Sequence, residues 1–181
     1  MCFSFEVSLG TFLFSWGVSL YLLNKKSLNE FQINKVYFLM IFSSIQLFDA
    51  ILWYIKMKKN TINYVITSFF IPLFLCAQIY YNILIINNLK NRLTIIFLII
   101  ITIYIFIKFN GYSVSLCNNK LASPIWGNNE IKLWEFLVYS CIILYPDLNR
   151  IFLTNVILLP IIHLYAGGAY GSLWCTVANI S

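Results

Sequence analysis

The stretch KVYFLMIFSSIQLFDAILWYI, residues 35–55, decides how this chain must fold. It has the length that crosses the hydrocarbon core of a bilayer, which takes about 20 apolar residues. It also carries one carboxylate, Asp49, inside the apolar run. Hydrocarbon offers no hydrogen-bond partners, so the backbone must close on itself as a helix and Asp49 must face protein rather than lipid. Gln46, Asp49 and Trp53 recur at i, i+3 and i+7 and mark one face of that helix.

Segments of the same character lie on either side. Residues 5–23, 62–86, 93–107, 133–145 and 148–166 are apolar and bounded by polar turns, while 172–181 is too short to span. The expectation is an all-α polytopic transmembrane helix bundle, six full spans plus a seventh full or partial one, with residues 1–181 as a single transmembrane domain. Pro72 and Pro160 should kink their helices. Residues 112–115 can form a short extended piece in the longest loop. Segment 5–23 reads as a retained signal anchor, because Glu6 stands where a cleavable signal would carry Lys or Arg.

Composition agrees with lipid as the solvent. Of 181 residues, 61% are hydrophobic and 10% charged, against about 25% charged in a soluble domain. The net charge of +6 comes from Lys and Arg grouped in short loops. That pattern anchors helix ends in headgroups. It offers no contiguous basic face, which speaks against nucleic acid as a partner. The expected partners are the lipid bilayer and a homo-oligomer or larger membrane assembly.

Calling the N-terminal side A and the opposite side B sorts the loops. Side A receives Lys56, Lys58, Lys59, Lys108, Lys120 and Lys132; side B receives Lys25, Lys26, Lys35, Lys90, Arg92 and Arg150. The count is tied, so loop charge sets no orientation. The polar residues are not evenly divided. Glu6, Asp49, Glu135 and His163 all fall toward side A, with Cys2, Cys117 and Cys175. Gln78 and Asn82, at i and i+4, mark an inward face of the third helix. Small residues Gly10, Gly17, Ser8, Ser15 and Ser19 give the first helix rows that permit close approach.

This set supports three kinds of chemistry. Cys2, Cys175 and His163 offer donors for a transition metal. A carboxylate–histidine chain can relay protons. A pocket lined by Glu6, Gln46, Asp49, Trp53, Glu135, His163 and Trp174 can hold an ion or small ligand. Plainer readings stand beside these. Glu6 and Glu135 suit helix ends at the headgroups, and Cys76 and Cys141 suit small core positions. Cys2 and Cys117 read as free thiols, or as a pair in an oxidising compartment. Trp53, Trp126 and Trp134 fit an aromatic belt at face A.

Met1-Cys2-Phe3-Ser4 resembles the Met-Cys-Trp-Ser start of uncharacterised small multi-pass membrane proteins of bacteria and large DNA viruses. The spacing of Gln46, Asp49 and Trp53 is similar to a Gln-x-x-acidic-x-x-x-Trp stretch in that family, which carries Glu at the place of Asp49. Ser172, Trp174 and Cys175 are similar to its Ser-x-Trp-Cys. The resemblance implies a bundle of about seven helices and supplies no activity. The leading functional expectation is binding or movement of a small ion or solute, proton or metal, through a polar pocket near face A. A structural protein of a virion or organelle membrane is the second, and a membrane-embedded hydrolase or oxidoreductase the third.

Overall fold

A computed structural model describes residues 4–25, 27–118, 121–127, 131–149 and 153. It is mostly helical. Among the described residues, three helices are long and apolar enough to cross a membrane: α1 (Phe5–Leu23), α2 (Glu30–Tyr54) and α3 (Thr61–Ile86). Two shorter ones follow, α4 (Arg92–Lys108) and α5 (Leu133–Leu144). Between them the chain forms a hairpin of β1 (Val114–Asn118) and β2 (Leu121–Ile125). Apart from residues 148, 149 and 153, the sixth expected span and the terminal segment lie outside the described residues.

The caps explain where the helices begin. Ser4 accepts from the Val7 N–H at the start of α1. Asn29 and Gln32 form a reciprocal capping box, with bonds of 2.8 and 3.0 Å. This satisfies otherwise orphaned donors and starts α2 more than a turn before residue 35, where the apolar run begins. Asn60 and Asn91 cap α3 and α4 through their side-chain oxygens alone, accepting from the Asn63 and Thr94 N–H groups at 2.9 and 2.8 Å.

α3 is not a uniform helix. Its turns at Ile66–Phe70 and Tyr81–Ile86 are widened to the i→i+5 pattern. Pro72 accounts for the first: it has no N–H for the Ser68 carbonyl, and its ring would press on that carbonyl in a regular ladder. The expected disturbance at Pro72 is therefore a widened turn just before it.

The helices alternate in direction. The Phe5 and Tyr54 rings meet at 5.8 Å, which sets the start of α1 beside the end of α2. The Tyr81 hydroxyl donates to Asn34 near the start of α2, and Phe48 stacks on Phe70 at 5.0 Å, so α3 runs against α2. Phe69 meets Phe106, and Thr102 donates to Tyr80, so α4 runs against α3. The core lies among α2, α3, α4 and α5, around Ile45, Leu52, Ile71, Ile79 and Leu98.

α1 contributes little to that core. Ser8, Ser15 and Ser19 are its buried row. The glycine row turns out to face away: Gly10 and Gly17 are exposed, and a Cβ on either would meet nothing within 4 Å. Serine is small enough for close approach and can return its hydroxyl proton to its own helix, as Ser19 does to the Ser15 carbonyl at 2.7 Å. α4 is apolar on most of its circumference and exposed along much of it, from Leu93 to Ile107, as its uniform Ile and Phe content predicts. The hairpin qualifies the all-α expectation. Its register pairs Val114 with Ile125 and Ser115 with Pro124. A two-stranded sheet has only edge strands, where a proline without an N–H is tolerated.

Candidate functional site

Asp49 is 1% exposed, about four-fifths of the way along α2. A carboxyl at that depth without a partner costs several kcal/mol. Its partner comes from the long loop: Trp126 donates its indole N–H to Asp49 Oδ1 at 2.8 Å. Trp126 is itself buried, edge-on to Phe109 at 6.1 Å. It therefore belongs to the interior and not to the aromatic belt, whereas Trp134 is exposed. Gly127 makes the placement of Trp126 possible. Its φ of +77° suits glycine, and a Cβ there would come within 3.1 Å of the Phe109 backbone.

The loop that delivers Trp126 is clamped to α3 at its other end. Asn63 is fully buried and uses both ends of its amide. Nδ2 donates to the carbonyls of Lys58 at 3.1 Å and Ser113 at 3.0 Å. Oδ1 accepts from the Ser113 N–H at 2.8 Å and the Thr67 hydroxyl at 3.0 Å. The Thr67 and Ser113 hydroxyls lie 2.7 Å apart, and Ser68 bonds Gly111. The widened turn at Ile66–Phe70 lets adjacent residues Thr67 and Ser68 both reach the loop.

Below this clamp, α2, α3, α4 and α5 leave a cavity of about 300 Å³. Its accessible wall is carbon, although polar residues stand around it. Trp126 and Phe109 line it on one side, Phe42 and Ile45 on α2 on another. Lys108 on α4 and Glu135 in the first turn of α5 form an ion pair at 2.9 Å beside it, each with little exposed side chain. The Tyr104 hydroxyl donates to the same Glu135 oxygen, and Glu135 Oε2 accepts the Lys132 N–H at 2.6 Å. Gln78 lines the cavity from α3, fully buried. Its Oε1 accepts from the Tyr139 hydroxyl, while its Nε2 has no hydrogen-bond partner among the described residues. One turn on, Asn82 donates to the carbonyls of Ile142 and Tyr145, at 2.9 and 3.1 Å, and fixes the far end of α5.

The residues singled out from the sequence divide accordingly. Gln46 and Asp49 are buried on the inward face of α2, and Trp53 continues that face half-buried, its indole N–H without a partner among the described residues. Gln78 and Asn82 point inward as their spacing implies. Glu6 is at the same end of the molecule as Asp49 but on the surface, where the α1 N-terminus favours a carboxylate. Glu135 reaches the cavity wall, with Lys108 and Tyr104 as partners that spacing did not suggest. Spacing gives no sign of Asn63 and Ser113 either: Asn63 is a lone amide in the first turn of α3, and Ser113 is one of several short polar residues in the long loop. Cys76 is buried as expected, but Cys141 is exposed. Cys2, His163, Trp174 and Cys175 lie outside the described residues. Among the described residues no three of His, Cys, Asp and Glu converge as metal donors.

The chain matches no protein-family model, no curated protein and no solved structure.

Proposed function

We propose that this chain is a multi-pass integral membrane protein that binds a small, largely apolar solute in the cavity between α2, α3, α4 and α5. The observation that carries the reading is the cavity itself, about 300 Å³ with a carbon wall, capped toward face A by Trp126. Ligand sites of this kind are mostly apolar with a few placed polar groups. Here those groups, Gln78 and the Lys108–Glu135 pair, stand behind and beside the carbon wall. A solute is favoured over passage of a proton or metal because Asp49, the acid that a relay would use, is bonded to Trp126 and is not part of the cavity wall. The same bond favours a second reading, a structural membrane protein in which the polar groups only lock the helices together.

The multi-pass arrangement is tested with Lys58→Cys and Lys90→Cys, each in a background whose native cysteines are serine. A membrane-impermeant maleimide should label them from opposite sides of sealed vesicles. Labelling from one side sinks the arrangement. Binding is tested with 1-hexanol, indole and naphthalene on the protein in micelles. A saturating solute should stabilise the fold by about 1–3 kcal/mol through mass action. Ile105→Trp, which fills the cavity from α4, should remove the effect. Equal shifts in both proteins would leave the structural reading standing.

A further inference from the structure

From the cavity's shape and its rim we infer that its occupant is a single acyl chain of a bilayer phospholipid, entering sideways between α4 and α5; this rests on the binding reading above. The α4 wall is Phe97, Ile100, Ile101, Tyr104, Ile105 and Lys108, a stripe at i, i+3, i+4, i+7, i+8 and i+11. Eleven residues of helix rise about 16 Å, so the lined space runs along the helix and suits an extended chain better than a compact solute. Its accessible surface carries no polar atom, and a methylene chain gains about 0.8 kcal/mol per buried CH₂ only against water, not against lipid. Occupancy by an acyl chain therefore costs the membrane little and leaves no void.

The route is set by the rim. Ile100 is 62% exposed, and Trp134 and Val138 are exposed on the neighbouring face of α5. These lining residues also belong to the outward apolar surface of α4 and α5, so the cavity is continuous with the face that lipid would cover. Toward face A the space is closed by Trp126 and Phe109 and bordered by the Lys108–Glu135 pair, whose paired charges match a zwitterionic headgroup. Gln78, toward the other end, lies beside the chain's path.

The test uses the full chain in nanodiscs of phosphatidylcholine carrying a diazirine in one acyl chain, with a diazirine fatty acid as the second arm. Phospholipid label should concentrate on peptides holding residues 97–105 and 134–139, and should survive detergent extraction there. Ile101→Trp and Val138→Trp, which block the cavity from α4 and α5 separately, should each reduce that label at least about tenfold, the equivalent of 1.4 kcal/mol. Circular dichroism and an unchanged thermal midpoint keep the variants interpretable, and two blocking positions guard against one that fails to fold. Label spread evenly onto outward residues such as Leu13 and Phe14, and unaffected by both variants, would overturn the inference. So would labelling of the site by the fatty acid alone. If the phospholipid label is diffuse while the soluble solutes still stabilise the protein, the acyl chain is wrong and the binding reading stands. If both are negative, both fall.

Discussion

Asn63 and Gln78 are fully buried amides on the same helix, and they behave differently. Asn63 has both of its amide atoms engaged, by the carbonyls of Lys58 and Ser113, the Ser113 N–H and the Thr67 hydroxyl. Gln78 has one bond, from Tyr139, and an Nε2 with no partner among the described residues. The first amide sits where a loop is tied down. The second sits on the wall of a cavity. A saturated buried polar group holds structure together, while an unsaturated one behind the wall of a cavity is held by less. Burial alone does not tell the two apart.

The largest effect should follow from breaking the saturated site. Asn63→Ala leaves the Ser113 backbone groups unpaired in the interior, and should cost about 2–4 kcal/mol of stability. Denaturant unfolding in micelles reads it directly. A loss below about 1 kcal/mol would mean that water replaces the amide, and that the clamp is incidental.

A middle-sized effect belongs to the Asp49–Trp126 bond. Trp126→Phe keeps the ring against Phe109 but removes the donor, and should cost about 1–3 kcal/mol. Asp49→Leu combined with Trp126→Phe should recover part of that loss, because replacing both partners removes the buried group that would otherwise be stranded. If the double variant is simply the sum of the singles, Asp49 has other support and the pair does not act as a unit.

Gln78→Leu should change stability least, by about 1 kcal/mol or less in either direction. It removes one hydrogen bond from Tyr139 but also one unsatisfied amide group. Binding of solute to the cavity should change more than stability does, and solute titration of the variant against the native protein measures it. A destabilisation as large as that of Asn63→Ala would show that Gln78 is structural after all and erase the distinction.

Much of the frame was readable in advance. The bounds of α1 match the apolar run residue for residue, and those of α3 and α4 lie within one residue of theirs. The inward faces of Gln46–Asp49 and Gln78–Asn82 follow from helical spacing, because apolar surroundings force polar groups inward. The apolar run underestimates α2 at its start, since the capping box of Asn29 and Gln32 lies outside that run and adds helix by satisfying orphan donors. Of the hairpin, composition shows only a short extended piece at residues 112–115. Its pairing depends on partners in register, and single-strand composition carries little of that information.

That Asp49 is buried follows from its neighbours in the chain alone, since a carboxylate inside an apolar run has nowhere to go but the protein interior. Which group would meet it was decided only in three dimensions. Trp126 is 77 residues away, and periodicity reports the direction a side chain faces along its own helix, not what waits there. Nor do the residues that line the cavity announce themselves: Phe97, Ile101 and Ile105 read as ordinary apolar positions on a lipid-exposed helix. They become the wall of a site because α5 is short, is pinned at one end by Asn82 and at the other by the Glu135–Lys108 pair, and leaves between itself and α4 a space that no side chain of the described residues fills.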